Sequence, residues 1–287
     1  YFCMHLDRFC GARSQDGLWF LAVKEDIMKT LKRYMRLYKV FVKQFFKFLV
    51  QSKADFLIGL MGFFFTQAAG IAFLFLVFRQ IPSLGDWTLS ELIFIYGFAQ
   101  IPRGIDHLFT DNIWLVAWRL VVNGKFDRYL LRPMNLFFQV ICEKLQPDAL
   151  GELLVGTILI IVSLSKGIVL VDGAHVVFFV VSILAGAVIY TAIKLLFASL
   201  AFWMKISGPV LYTAYQLADF AKYPTEIYSR VVRVVITWII PFAFVAYLPA
   251  SYFLKPSVSP WNTIGVECIL AVVFFGIAYL VFNRGTH

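Results

Sequence analysis

Apolar and polar positions alternate along this chain on the scale of whole membrane spans. Long apolar runs occupy residues 56–78, 89–110, 148–164, 174–204, 207–222, 231–254 and 263–282, separated by short polar breaks. A helix rising ~1.5 Å per residue needs about 20 apolar residues to cross ~30 Å of hydrocarbon, so the longer runs read directly as spans. The run 148–164 reads as the third span and can begin earlier, within 137–145. In 231–254, Pro241 and Pro249 interrupt the pattern, which suits a helix–turn–helix entering and leaving one face. With 207–222 as the fifth span, the chain makes six crossings. Positive-inside counting would instead place Lys222, Arg230 and Arg233 in the cytoplasm and make 231–254 the fifth span, again giving six. The fold class is all-α: a polytopic membrane protein of six transmembrane helices with a re-entrant hairpin before the last.

Composition agrees with that pattern. Of 287 residues, 61% are hydrophobic, 18% aromatic and 15% charged, with a mean hydropathy of +0.79. Soluble domains are nearer half apolar and a quarter charged, so a globular enzyme, a disordered chain and a disulfide-stapled domain are excluded. The net charge of +9 would raise nucleic-acid binding in a soluble protein. Here the cations flank apolar spans, and anionic headgroups with cytoplasmic orientation account for them. Cys3, Cys10, Cys142 and Cys268 are too scattered for a metal site or a disulfide framework.

Residues 28–53 carry eight basic residues and no acid. Lys32, Arg36, Lys39, Lys43 and Lys47 recur at steps of three and four on one helix face, with Tyr38, Phe41, Phe45 and Phe48 on much of the other. That is an amphipathic helix lying in the headgroup region on the cytoplasmic side. Residues 1–27 lack both its periodicity and a signal-peptide pattern. Lys24-Glu25-Asp26 can be encoded by a ribosome-binding sequence ahead of Met28, so 1–27 read as a translated leader or a loose tail and 28–287 as the native domain.

Residues 111–133 are the most informative stretch. Asp111 is expected to cap a short helix bearing Trp114, Leu115, Trp118, Arg119, Val121 and Val122, stopped by Asn123-Gly124. The helix, over 111–124, is too short to span. KFDRYLLRP comes next, with Lys125, Asp127, Arg128 and Arg132 around an apolar centre, closed by Pro133. A solvated loop has no use for two tryptophans and a Leu-Leu pair, so the segment reads as a partner-docking surface, with interfacial packing as the alternative. Within the spans, Arg103 and Asp106 are expected to pair with each other, and Lys194 to snorkel toward the inner face, with pairing to an acid such as Glu152 as the alternative. Glu152 and Glu267 are the acids expected at depth.

No G-x-x-x-x-G-K-[ST] occurs; Gly124-Lys125 is followed by Phe126. His5, His107, His175 and His287 form no zinc motif, although His107 and Asp111 lie four apart. Ion-coupled carriers usually show intramembrane acids and internal repeats, and no repeat is found here. The chain is therefore expected to be no enzyme and to draw its energy from elsewhere.

The order of these parts resembles the permease subunits of ABC-2-type exporters: a basic amphipathic helix, two spans, a cytoplasmic coupling helix, three spans, a re-entrant hairpin and a final span. NGKFDRYLLRPMNLFFQV (123–140) is similar to the G-x-[FL]-D-x-x-L-[LV]-R-P-x-[NS] signature of a bacterial branch of these permeases, through Gly124, Asp127, Leu130, Leu131, Arg132, Pro133 and Asn135. Tyr223-Pro224, with Pro241 and Pro249, resembles the family's proline-marked region before the last span. The resemblance implies a bacterial cell-membrane subunit that pairs with a second permease, identical or related. Cytoplasmic ABC ATPase subunits would carry the ATP and magnesium, with no cofactor on this chain. It also implies that hydrolysis swings the coupling helix, with Trp114 and Trp118 as contact anchors. Asp127, Arg128 and Arg132 would hold that helix against the base of the third span. The competing class is a non-transporting scaffold or a channel-like subunit.

Overall fold

The computed structural model describes residues 36, 39, 40, 43, 53–169 and 171–286. The chain divides after Gln51. Of the first unit, Arg36, Lys39, Val40 and Lys43 are helical and exposed; Lys32, Lys47 and the whole of 1–27 lie outside the described residues.

The second unit is helical, and among its described residues the sole β-type pairing is the bridge Leu84–Trp87 in the first loop. α1 (Lys53–Gln80) is apolar on all sides and largely exposed, as a lipid-facing helix should be. Its polar anchor is Gln67, whose Oε1 accepts hydrogen bonds from Tyr96 Oη (2.5 Å) and Gln100 Nε2 (2.8 Å). α2 (Leu89–Thr110) keeps both expected ends. Thr88 opens it with a reciprocal cap: the Glu91 amide donates to Thr88 Oγ1, and the Thr88 amide donates to Glu91 Oε2. The helix continues through Pro102 to Thr110.

Asp111 does not cap the next helix. It stays in helical conformation, so the amides of Trp114 and Leu115 bond the carbonyls of Asp111 and Asn112 and need no side-chain oxygen. α3 (Ile113–Leu115) runs into a π-helical turn (Val116–Leu120). Gly124, at φ +64°, ends the segment in the left-handed conformation that favours glycine, as the Asn-Gly pair predicted. Two short helices come after it, α4 (Asp127–Leu130) and α5 (Leu136–Cys142). α6 (Ala149–Ser165) matches the third run, and the early start foreseen for it is the separate α5.

α7 (Gly173–Ser199) is capped by Asp172, whose carboxyl is held below the usual carboxylate range by hydrogen bonds from the His175 amide and ring. α8 (Ala201–Met204) prolongs it to the break at Lys205. The expected fifth span is a shorter element: α9 (Gly208–Gln216) tightens into a 3₁₀ turn (Leu217–Lys222), whose Asp219 and Lys222 pair with each other. α10 (Arg230–Val234) with its π turn, and the stretch leading into α11 (Tyr247–Leu254), form two arms bent by 70°. Pro241 lies at the bend, and Ile240 before it is extended, as a residue preceding proline prefers. α12 (Val266–Thr286) closes the chain.

Among the described residues three helices, Phe56–Gln80, Gly173–Met204 and Trp261–Thr286, are long and apolar enough to cross a membrane, with a fourth if the bent pair is one span. α2 carries Glu91, Arg103 and Asp106, and α6 has 17 residues, so neither joins that set.

α2 packs along α6 and α7, and α7 along α12. Hydrophobic surface gains little by leaving lipid, so close approach must hold such helices together. Gly97 and Gly156 supply it: a Cβ on Gly97 would sit 2.7 Å from Leu159 Cβ and 3.2 Å from the Gly156 carbonyl. A first core gathers Phe94, Phe98, Tyr190, Phe242 and Phe253. A second places Ile113, Val116, Leu120, Phe126 and Tyr129 against Leu195, Leu211 and Phe282.

Candidate functional site

Behind α3 runs a chain of buried charges. The Lys194 side chain is fully buried, with Nζ 2.7 Å from Asp106 Oδ2, 3.4 Å from Thr110 Oγ1 and 3.8 Å from Asp111 Oδ1. Asp106, equally buried, accepts hydrogen bonds from the hydroxyls of Thr110 (2.5 Å), Thr191 (2.9 Å) and Tyr215 (2.8 Å). Arg103 reaches the other way, to Asp219 (2.8 Å) and Glu152 (3.6 Å), and Asp219 also holds Lys222 at 2.8 Å. His107 Nδ1 lies 3.0 Å from Glu152, and its ring stacks on Tyr215. Tyr215 is the hub, with the Arg103 and Lys194 cations 5.7 and 5.6 Å from its ring centre. α2, α6, α7 and α9 are thus joined by charges that would be intolerable unpaired.

Two expectations fail here. Arg103 and Asp106 do not pair with each other; each finds a partner on another helix, because their directions around α2 diverge toward different neighbours. Lys194 does not snorkel, because a carboxylate already satisfied by three hydroxyls lies within direct reach. Asp106 was missed among the deep acids, and it is the most thoroughly bonded of them. Glu267 is fully buried too: Ser182 donates to it at 2.6 Å, and its second oxygen has no hydrogen-bond partner among the described residues.

Of the residues expected to face a partner, Trp114 is half-buried, its ring edge on Tyr215, and Leu115 is half-buried against the second core. Trp118 is 41% exposed and lies over Gly208, where the ring leaves no room for a side chain. Arg119, Gly124, Asp127, Arg128, Arg132 and Pro133 are exposed, and Leu131 is the most exposed large apolar residue there at 84%. Arg128 binds Glu143 at 2.5 Å in the stretch leading to α6 and stacks on Tyr129. Asp127 and Arg132 form no ion pair among the described residues. Sequence reasoning missed the inner anchors. Tyr129 is buried and donates to Glu143, while Gln139 Nε2 donates to the carbonyls of Tyr129 (3.1 Å) and Met134 (3.0 Å). The three-residue step from Phe126 to Tyr129 was their available signal.

Farther along, Tyr223 is half-buried and extended, and Pro224 is buried. Arg233 binds the adjoining carbonyls of Thr225 and Glu226, each at 3.0 Å. Pro249 is buried within α11.

Between α3 and α9 the ionic chain opens on a cleft of about 390 Å³. Trp114 and Trp118 wall one side and Tyr212 and Tyr215 the other, with Arg103, His107 and Asp111 also on the lining. Among the described residues no group of three metal-ligating side chains is assembled.

An all-helical bundle with membrane-length apolar helices and paired charges at depth is a polytopic membrane protein. The family described as ABC-2 family transporter protein matches residues 64–287, and the chain belongs to that family, whose members are transport permeases. No curated protein matches the chain.

Proposed function

We propose that this chain is the membrane-spanning permease of an ABC exporter, forming the translocation path and driven by a separate ATPase. The observation that carries the reading is the two-faced segment from α3 to α5. Its inner face is part of the second core, and Asp111 and Trp114 touch the ionic chain and its Tyr215 hub. Its outer face leaves Val122, Leu130 and Leu131 exposed among charges, with the partly exposed Trp118 at its edge over Gly208. A push on the outer face is therefore transmitted to α2 and α7 through packed side chains. This is the part a coupling helix plays, and exposed apolar clusters of this kind favour a protein partner.

In this reading the α3 end of the bundle faces the cytoplasm of a bacterial cell, with 28–53 and the end of α12 on the same side. The chain makes six crossings, and the bent pair is the re-entrant hairpin. ATP and magnesium bind the partner ATPase; this chain carries no cofactor and catalyses nothing itself. A second permease, identical or related, completes the path, and the largely lipid-exposed α1 and α12 leave surface for it.

The experiment is affinity purification of the chain from its own host in mild detergent, with and without crosslinking, and identification of co-purifying subunits. A stoichiometric P-loop ATPase is expected. A clean preparation lacking any ATPase after crosslinking overturns the proposal in favour of a scaffold or channel.

A further inference from the structure

The ionic chain behind α3 is unevenly matched. Its permanent cations Arg103, Lys194 and Lys222 face four carboxylates, Asp106, Asp111, Glu152 and Asp219, with the His107 ring 3.0 Å from Glu152. The surplus falls on one residue. Arg103 is held between Asp219 and Glu152, and Lys194 sits closest to Asp106, at 2.7 Å. Asp111 has Lys194 at 3.8 Å as its one ion-pair partner among the described residues, and its side chain is 31% exposed on the lining of the cleft.

Four aromatic rings line the same cleft. Trp114 and Trp118 are four residues apart on one side, and Tyr212 and Tyr215 are three apart on the other. Trp114 meets Tyr215 edge-on with centroids 5.4 Å apart, Trp118 lies over Gly208, and Tyr212 Oη accepts a hydrogen bond from Gln216 at 2.8 Å. Aromatic faces attract cations, most strongly where water is excluded, and rings grouped around one site are the usual recognition device for quaternary ammonium groups. The volume of about 390 Å³ falls within the range of ligand-sized cavities. Arg103 and Lys194 are already held by carboxylates at 2.8 and 2.7 Å, which leaves Asp111 as the most loosely paired charge on the lining.

We propose that this cleft binds a lipophilic cation, with Asp111 as its counter-ion and the Trp and Tyr side chains clasping its apolar body. Calling that cation the cargo rests on the permease reading; binding as such does not. The Asp111 position gives the site a further property. Its ligand sits directly between the α3 segment and α9, so occupancy ties together two elements whose other direct polar link is the Ser207 amide donating to the Ala117 carbonyl at 3.1 Å.

The test compares two probes of one shape and opposite charge, tetraphenylphosphonium and tetraphenylborate. Equilibrium dialysis against the full chain in lipid nanodiscs, without nucleotide or ATPase, reads their affinities. Saturable binding of the phosphonium is expected, with the borate about tenfold weaker or worse. Asp111→Asn should lower phosphonium affinity about tenfold, and Tyr212→Ala and Trp118→Ala about threefold or more each. Tyr212 is 55% exposed, so its variant keeps the test valid if Asp111→Asn fails to fold. Equal retention of the two ions overturns the proposal, as does phosphonium binding that Tyr212→Ala and every folded Asp111→Asn or Trp118→Ala preparation leave unchanged. Because no ATPase takes part, failure here is distinct from failure of the co-purification.

Discussion

The two halves of α2 solve the same problem by different means. From Leu92 to Ala99 the helix is buried among aromatic and aliphatic side chains, with Phe98 edge-on to Phe179 at 5.5 Å and Phe94 6.3 Å from Phe253. From Gln100 to Thr110 it is held by Arg103, Asp106, His107 and Thr110, each bonded to a named polar partner. In lipid the first half gains mainly from contact and shape, and a slightly different packing would serve almost as well. The second half has no near-equivalent alternative, since a misplaced neighbour leaves a charge unpaired in a low-dielectric interior. Apolar packing holds α2 in the bundle; the ionic half fixes which way it faces.

The largest predicted effect comes from breaking the ionic half. Lys194→Met leaves Asp106 buried without its cation, and a loss of about 3–5 kcal/mol is expected in detergent unfolding experiments. Adding Asp106→Asn should recover most of it, because Thr110 and Thr191 can still donate to the amide oxygen while the amide nitrogen donates to the Tyr215 hydroxyl, which then accepts. Gly97→Val attacks the apolar half at its closest contact and should lose about 1–3 kcal/mol by overpacking. No second substitution among the charges would relieve it, which is the sharper part of the comparison. Tyr96→Phe removes one of the two donors to Gln67 where the halves meet, and about 1 kcal/mol is expected, since Gln100 still donates. Leu131→Asp should leave unfolding within about 0.5 kcal/mol of the parent, being a surface change, yet abolish ATPase co-purification.

The ends of α2 were legible as the limits of an apolar run, and the Asn123-Gly124 stop and the break at Lys205 because glycine and proline act on their immediate neighbours. The expected pairing of Arg103 with Asp106 failed for the complementary reason. An i,i+3 spacing is a local cue, whereas the real partner Asp219 lies 116 residues away and is brought in by the packing of α9. The aromatic residues of 111–133 were legible as a set but not as a geometry. Periodicity marked Trp114 and Trp118 as neighbours, while the cleft they line needs Tyr212 and Tyr215 from a helix that the sequence offers only as one more apolar run. Family membership was readable through residues 123–140, a stretch whose turns and charges are set locally.

The contact of Gly97 with Gly156 has a mechanical consequence. It lies nearer one end of α2 than the other, ~12 Å from Leu89 and ~20 Å from Thr110 at ~1.5 Å per residue. Two backbones in direct contact, with no side chain between them, make a fulcrum. Any rigid tilt of α2 about it carries the two ends in opposite senses, so ~1 Å at Thr110 becomes a counter-displacement of ~0.6 Å at Leu89. A helix levered in this way cannot loosen both ends at once: parting the bundle at Asp106 presses it together at Phe94.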